Sequence, residues 1–146
     1  MPPFFFGDSQ TPLYGYYEPA LKPMPGATRG VVLCHSLCHQ YMRMHWAFMQ
    51  LGVSLARCGL HVLRFDYYGC GDSSGRTMSG CPEVWIDNIV AAVDELRDMS
   101  DAEGISLVGY EFGAPLAACA SARIERVRDL VLWNPVIHGA ECLKRV

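Results

Sequence analysis

The sequence lacks the charge pattern of a nucleic-acid-binding protein and the long apolar run of a membrane protein. Only 18% of the 146 residues are charged, and twelve basic against fifteen acidic residues give a net charge of −3. Lys and Arg form no cluster that could follow a phosphate backbone, so we expect no nucleic-acid partner. Because no apolar run reaches the roughly 18 residues that a bilayer requires, we also expect no membrane span.

The N-terminus lacks the features of a secretory signal. Its aromatic cluster, Phe4–Phe6, is neither preceded by basic residues nor extended into a long apolar core. The seven cysteines are an odd number and lack the spacing of a secreted disulfide scaffold. We therefore expect a cytoplasmic protein with reduced, mostly buried thiols. The cysteines are Cys34, Cys38, Cys58, Cys70, Cys81, Cys119 and Cys142.

Two neighbouring Cys-His pairs have a spacing similar to that of metal ligands. They are Cys34 with His35 and Cys38 with His39. Zinc sites built from such pairs usually need a second pair further along the chain, and none of matching form follows. The end of a strand and the start of a helix account for these residues more simply. We therefore predict neither a metal site nor a cofactor.

What the sequence does contain is enough apolar residues to form a core. Hydrophobic residues make up 51% of the chain, and the mean hydropathy is +0.12. A chain this apolar should fold, and its length suits one domain, which we place at residues 1–146. Residues 1–30 are expected to hold an N-terminal hairpin, formed by Phe4–Phe6 and Leu13–Glu18, and a linker.

Strand-like and helical segments alternate through the rest of the domain. Apolar runs typical of buried strands lie at 31–34, 60–66, 105–109 and 130–133. Helical patterns lie at 41–58, 82–96 and 114–123. Such alternation implies right-handed βαβ crossovers. The predicted fold class is α/β, a three-layer α/β/α sandwich around a mostly parallel sheet.

One apolar stripe is expected to pack the first helix onto the sheet. Its residues recur at steps of three and four, the spacing of one helix face. They are Met42, His45 or Trp46, Met49, Val53 and Ala56.

A five-residue motif, Gly109 to Gly113, lies between a predicted strand and a predicted helix. It reads Gly-Tyr-Glu-Phe-Gly. In the G-x-S-x-G motif the central residue occupies a strained turn, and small residues two positions away on either side let strand and helix approach closely. This chain keeps the spacing, but Glu111 stands in the position of the serine.

With this motif the chain resembles the α/β-hydrolases, and more closely the serine aminopeptidase-like group that includes the exosortase-A-system-associated hydrolases. Residues 31–36 resemble the strand and His-Gly before the oxyanion loop, with Ser36 replacing glycine. Residues 65–73 contain the Asp-x-x-Gly-x-Gly-x-Ser loop. Residues 39–43 and 130–136 resemble the first helix and a later strand with its turn. The resemblance covers about residues 13–143.

The resemblance implies a role for several residues. Glu111 occupies the nucleophile position, the N–H of Phe112 is one oxyanion donor, and a backbone N–H near Leu37 is the other. His35 is expected to be a structural residue that fixes the oxyanion loop. Asp66 in the glycine-rich loop, like Asp72, is expected to hold a turn by accepting hydrogen bonds from backbone N–H groups.

The segments that supply the acid and the histidine of the family's triad do not follow in this sequence. We therefore expect a fold truncated after its sixth strand. The function implied is that of an ester, thioester or amide hydrolase, impaired by Glu111, with a small acyl or ester compound as ligand.

Other functions stay open. The strained turn between strand and helix is called the nucleophile elbow. Haloalkane dehalogenases and epoxide hydrolases of this fold use an aspartate at the elbow, and Glu111 would act in the same way if His138 activated a water. A non-catalytic binding or scaffolding subunit is another reading, and a truncated product without a role is a third.

A sheet that ends at its fourth parallel strand should leave an apolar face and an unpaired edge. Such surfaces usually mark contacts with other chains. We therefore expect self-association or pairing with a complementary protein chain.

Overall fold

The architecture is a single mixed sheet with helices on both faces. A computed structural model describes residues 1–22, 25–37, 39–76 and 79–139. Its strands are β1 (Phe4–Phe6), β2 (Leu13–Glu18), β3 (Arg29–Cys34), β4 (His61–Phe65), β5 (Gly104–Tyr110) and β6 (Val127–Trp133). Its helices are α1 (His39–Arg57), α2 (Pro82–Ser100) and α3 (Gly113–Ser121).

The sheet has the order β1-β2-β4-β3-β5-β6. Strands β3 to β6 are parallel to one another, whereas β1 and β2 form an antiparallel hairpin that pairs with β4. The predicted N-terminal hairpin and the mostly parallel sheet are therefore confirmed.

Strand β3 is buried on both faces, which makes the fold three-layered. Val32 and Cys34 belong to the core between the sheet and the helices α2 and α3. Val31 and Leu33 belong to a second core with Phe48 of α1. Because successive strand residues point to opposite faces, α1 covers one face and the other two helices cover the other. The expected α/β/α sandwich is confirmed.

The predicted packing face of α1 is wrong for the first half of the helix, although Ala56 near its end is buried as the stripe predicts. Met42 and Trp46 are 78% and 66% exposed, while Phe48 is buried and Met44 and Leu51 pack beside it. The helix carries apolar residues on two stripes about a third of a turn or more apart, so periodicity alone could not choose between them. The sheet packs against the stripe that contains Phe48, and the side chains of Met42 and Trp46 face outward.

Strand β6 ends the sheet with its apolar side chains exposed. Leu130, Val131, Leu132 and Trp133 are between 37% and 48% exposed. Only β5 pairs with β6 among the described strands, so its other edge carries unpaired backbone groups. The expected apolar edge is present.

The thiols differ from expectation in their burial. Cys34 is buried, and burial raises its pKa to about 12, which leaves an unreactive thiol. Cys58, Cys81 and Cys119 are exposed free thiols, so the prediction of mostly buried cysteines is wrong for the described residues. Cys38 and Cys142 lie outside the described residues.

None of the three helices within the described ranges is both long and apolar enough to serve as a membrane span.

The N-terminal hairpin is attached to β4 through a histidine. The hydroxyl of Tyr17 lies 2.6 Å from Nδ1 of His61, and the backbone N–H of Ala20 approaches the same nitrogen at 3.4 Å. Burial lowers the pKa of His61 below its ordinary value of 6.5. His61 therefore binds a proton less readily in the folded chain than in the unfolded chain.

We expect the free energy of unfolding to fall as the pH drops through about 6.5, because the unfolded His61 is protonated first. The loss should be complete once the folded His61 is also protonated. Urea unfolding at several pH values between 7.5 and 5 measures it. The His61→Asn variant should lose this part of the pH dependence, while the exposed His138→Asn control keeps it. An unchanged pH profile in His61→Asn would contradict the assignment.

Candidate active site

Glu111 lies in a sharp turn between strand β5 and helix α3. The strand ends at Tyr110 and the helix begins at Gly113, so only two residues connect them. Glu111 has a φ of 48°, in the left-handed region that costs an ordinary residue about 1–2 kcal/mol. The surrounding structure must compensate for this strain.

The two glycines of the motif are required by close packing. A Cβ on Gly113 would lie 2.2 Å from the carbonyl oxygen of Cys34 and 2.4 Å from that of His35. A Cβ on Gly109 would lie 2.5 Å from Cα of Ala114. The first turn of α3 therefore rests directly on the end of β3, and the strand before the turn touches the helix after it. This is the physical reason for the glycine spacing seen in the sequence.

The backbone of Glu111 is held by the end of β6 and the residues that follow it. Its N–H donates to the carbonyl of Trp133 at 3.0 Å, and its own carbonyl accepts from the N–H of Val136 at 3.1 Å. The side chain is held too, because Nδ2 of Asn134 donates to Oε1 of Glu111 at 3.3 Å. Three contacts from one short segment thus fix the strained residue.

The Glu111 carboxylate affects its sequence neighbour. Burial raises the pKa of Tyr110, and the nearby charge of Glu111 raises it further. The carboxylate itself is only partly buried, so it retains access to solvent.

Phe112, one of the two positions expected to donate to an oxyanion, lies in the turn itself. Phe112 is the N-cap residue of α3, and no described carbonyl accepts a hydrogen bond from its N–H. Its ring packs on Trp85, with ring centres 5.9 Å apart. Leu37 follows the end of β3 and, like Phe112, packs against the core of α2 and α3. A helix N-terminus carries partial positive charge, which favours a developing negative charge nearby.

His35 is bound on both ring nitrogens. Nδ1 lies 2.6 Å from the carbonyl oxygen of Ser36 and Nε2 lies 2.7 Å from that of Phe65. The ring is buried, and it joins the end of β3 to the end of β4. Both ring nitrogens therefore lie within hydrogen-bonding distance of backbone carbonyls.

Asp66 holds the glycine-rich loop beside His35. Its carboxylate accepts a hydrogen bond from the N–H of Asp72 at 2.9 Å and from the hydroxyl of Tyr41 at 2.8 Å, and Nε2 of His35 lies 3.7 Å away. Burial alone would raise the pKa of Asp66, but these partners outweigh it and the pKa lies below its ordinary value. Asp66 therefore fixes a turn as predicted. No side-chain hydrogen bond of that kind is found for Asp72 among the described residues.

His138 lies two residues beyond Val136, whose N–H donates to the Glu111 carbonyl. It is exposed, and it makes no hydrogen bond or ion pair with any described residue. Within residues 1–22, 25–37, 39–76 and 79–139, no three His, Cys, Asp or Glu side chains gather as a metal site would require. Cys38 lies outside those ranges.

Sequence reasoning missed two contributors to the site. Asn134 was assigned only to a turn, and Tyr41 only to the start of a helix. Their contacts with Glu111 and Asp66 span 23 and 25 residues, so no local pattern could predict them. The single available signal was that each is a polar residue close to the end of a strand or the start of a helix.

Comparisons with known proteins agree with this geometry. A family model described as alpha/beta hydrolase fold matches residues 30–144. The abhydrolase domain-containing protein abhd-5.2 of Caenorhabditis elegans is 33% identical over 75 residues, which cover 51% of this chain and 17% of that protein.

Solved structures are similar over nearly the whole chain. An esterase from Pyrococcus furiosus superposes with a TM-score of 0.75 at 21% identity, covering 99% of this chain and 54% of the esterase. A putative α/β hydrolase from Agrobacterium tumefaciens gives a TM-score of 0.73 at 22% identity, covering 92% of this chain and 60% of that protein. The chain thus spans little more than half the length of these structures, and at this identity they establish the fold.

Replacing Gly113 with alanine should destabilise the protein by about 1–3 kcal/mol, since the new methyl group collides with two backbone carbonyls that cannot move aside. Chemical denaturation measures the change. Gly52 in α1 provides a matched control, because a Cβ there would meet only side-chain atoms of Arg64 and Val62 at 3.4 Å or more. Gly52→Ala should therefore stabilise the protein by about 0.5–1 kcal/mol through helix propensity. Equal effects of the two changes would contradict the close-packed turn.

Proposed function

The chain belongs to the α/β hydrolase fold family, and we propose that it is an ester-, thioester- or amide-hydrolase-like member whose catalysis is impaired at the elbow. The observation that carries the proposal is Glu111, held in the strained turn between β5 and α3 by Asn134. A serine in this turn would present a hydroxyl that a histidine base could activate. The glutamate presents a carboxylate instead.

Two physical points support impairment. Attack of a carboxylate on an acyl carbon would form a mixed anhydride and expel the leaving group, and water would then have to cleave that anhydride. This second step needs a positioned base. Among the described residues no histidine ring forms a hydrogen bond or ion pair with Glu111, and both ring nitrogens of His35 face backbone carbonyls.

Within the family, the motifs favour the serine aminopeptidase-like group that includes the exosortase-A-system-associated hydrolases. Support comes from the loop between Asp66 and Ser73, which keeps the spacing typical of that group. Here the backbone N–H of Asp72 binds Asp66. The Ser73 hydroxyl donates to the Asp66 carbonyl at 2.5 Å.

A second candidate is a binding subunit that keeps the backbone donor of the turn without the chemistry. The N–H of Phe112 at the start of α3 favours it, because no described carbonyl accepts from this group. A small acyl or ester compound would place its carbonyl oxygen there. The charge of Glu111 disfavours free carboxylates, so the ligand of this reading is neutral.

A third candidate is a hydrolase that uses Glu111 as its nucleophile. Attack on a saturated carbon would form an ester with Glu111 and release the leaving group with its electron pair. The side chain is partly exposed and so accessible to a substrate. Turnover would require a base for the hydrolytic water, and His138 is the candidate named by the sequence.

We expect the purified chain to hydrolyse p-nitrophenyl acetate and butyrate no faster than buffer. Intact-mass analysis should find no adduct on Glu111, because a carboxylate without a positioned base does not complete the reaction. The Glu111→Gln variant removes the charge and preserves the shape of the side chain. It should match the native chain in both measurements.

The control is Glu103→Gln, which changes an exposed glutamate away from the turn. Turnover that Glu111→Gln abolishes and Glu103→Gln retains would overturn impairment and establish the carboxylate nucleophile. Tighter binding of a neutral ester by Glu111→Gln, without turnover, would favour the binding subunit.

A further part of the proposal concerns the β6 edge, which we assign to a strand of a complementary polypeptide. Strand β6 exposes apolar residues to both faces, and no described strand pairs with its open edge. The solved structures that match this chain contain nearly as much protein again outside the matched region. A strand that is apolar on both faces would continue the sheet.

We expect the isolated chain to bind an apolar dye or to self-associate in light scattering, because the β6 surface is uncovered. Val131→Lys, which places a charge on this strand, should reduce both signals. Leu21→Lys is the matched control, since Leu21 is 64% exposed and lies outside β6. A defined dimer sensitive to Val131→Lys would identify a second copy as the occupant. A clean monomer without dye binding would refute the assignment.

A further inference from the structure

Strand β3 is followed by a buried histidine whose two ring nitrogens both face acceptors. His35 is 6% exposed, and its Nδ1 lies 2.6 Å from the carbonyl oxygen of Ser36. Its Nε2 lies 2.7 Å from the carbonyl oxygen of Phe65. These distances are short, as in hydrogen bonds whose donor is charged. A backbone carbonyl has no proton to donate, so both nitrogens of His35 must supply one.

The two contacts determine how many protons the ring carries. A neutral imidazole has one N–H group and one bare nitrogen, whereas an imidazolium has two N–H groups. A neutral His35 would therefore turn a lone pair towards the carbonyl oxygen of either Ser36 or Phe65. Such an arrangement is repulsive, and the burial of the ring leaves little access for water to relieve it.

A carboxylate beside the ring supplies the opposite charge. Oδ1 of Asp66 lies 3.7 Å from Nε2 of His35, and Asp66 is 7% exposed. Burial would raise the pKa of Asp66, but His35 and the hydrogen bonds from Asp72 and Tyr41 lower this pKa below its ordinary value. Asp66 is therefore ionised at neutral pH, and a buried carboxylate requires partners of this kind.

Two tyrosines surround the ring without adding charge. The ring centres of Tyr41 in α1 and of Tyr67 after β4 lie 4.5 Å and 5.1 Å from that of His35. Burial raises the pKa of both phenols, so both stay neutral. Aromatic rings at such distances are compatible with a neighbouring cation.

Two basic side chains line the small cavity beside His35 and oppose a further positive charge there. They are Arg64 of β4 and His45 of α1. The carboxylate of Glu18 lies 4.0 Å from Arg64, and His45 is exposed to solvent, which screens charge. Among the described residues, Asp66 is the ionised group within salt-bridge distance of the His35 ring.

We propose that His35 is a buried imidazolium whose two N–H groups tie the end of β3 to the end of β4. Its charge also holds the Asp66 carboxylate, which fixes the glycine-rich loop through the N–H of Asp72. The second ring proton thereby positions the segment from Ser36 to Leu37, to which the sequence assigns one oxyanion donor. The charge on His35 stands independently of the proposed function, whereas its effect on an oxyanion donor rests on that function.

Nitrogen-15 NMR of the imidazole rings tests the charge directly, because protonated and bare ring nitrogens differ widely in chemical shift. We expect both nitrogens of His35 to be of the protonated type at pH 7.5. The chain unfolded in urea at the same pH provides the reference, since an ordinary histidine is then mostly neutral.

The signals are assigned without changing His35. The other histidines, His39, His45, His61 and His138, are replaced with glutamine one at a time, and the remaining signals belong to His35. A bare nitrogen on His35 in the folded chain would overturn the proposal, whatever the hydrolase assays show.

A pair of variants tests the contribution of the Asp66 charge. Asp66→Asn removes the charge and nearly preserves the volume, so we expect His35 to lose its second proton at pH 7.5. Asp72→Asn is the matched control, because Asp72 contacts Asp66 through its backbone N–H and not through its carboxylate. His35 should keep both protons in this control.

Two protons on His35 in a folded Asp66→Asn variant would contradict the pairing with Asp66. The same holds if the two variants give identical ring signals. Should Asp66→Asn fail to fold, the spectrum of the native chain decides.

Discussion

The contact between the first turn of α3 and the end of β3 is the constraint on which the candidate site depends. Gly113 lies so close to the carbonyls of Cys34 and His35 that no side chain fits there. This contact fixes the helix against the sheet, and Glu111, one of the two residues before it, completes the turn in a strained conformation. The backbone N–H groups of the turn and the side chain of Glu111 project from the same short segment. Because the close contacts of Gly113 are with backbone atoms, the turn should keep its shape when the residue at position 111 changes.

A second, separate network holds the other side of the site. His35 joins the ends of β3 and β4 through backbone carbonyls, and Asp66 joins the glycine-rich loop to Tyr41 of α1. All of these groups are at least partly buried, where hydrogen bonds are stronger and unpaired groups more costly. Their arrangement gives His35 a structural task. It leaves the elbow carboxylate without a neighbouring base among the described residues.

The two edges of the sheet are built differently. Its first edge is the β1–β2 hairpin, attached to β4 by backbone pairing and by Tyr17 with His61. Its last edge, β6, has apolar side chains exposed on both faces. The free energy gained on burial is roughly proportional to the apolar area removed from water. The exposed apolar side chains of β6 therefore provide a driving force for association at this edge. The same strand leads into the segment that holds Glu111, so a partner at this edge would contact the support of the turn.

The sequence by itself determined the order of strands and helices, the hairpin and the glycine turn, because period, glycine spacing and Pro82 at a helix start are local signals. It could not choose the packing stripe of α1, since two apolar stripes have the same period. Nor could it find the contact of Asn134 with Glu111, which joins segments distant along the chain. Those features were decided by tertiary structure, because only folding brings a strand end, a loop and a helix face within hydrogen-bonding distance.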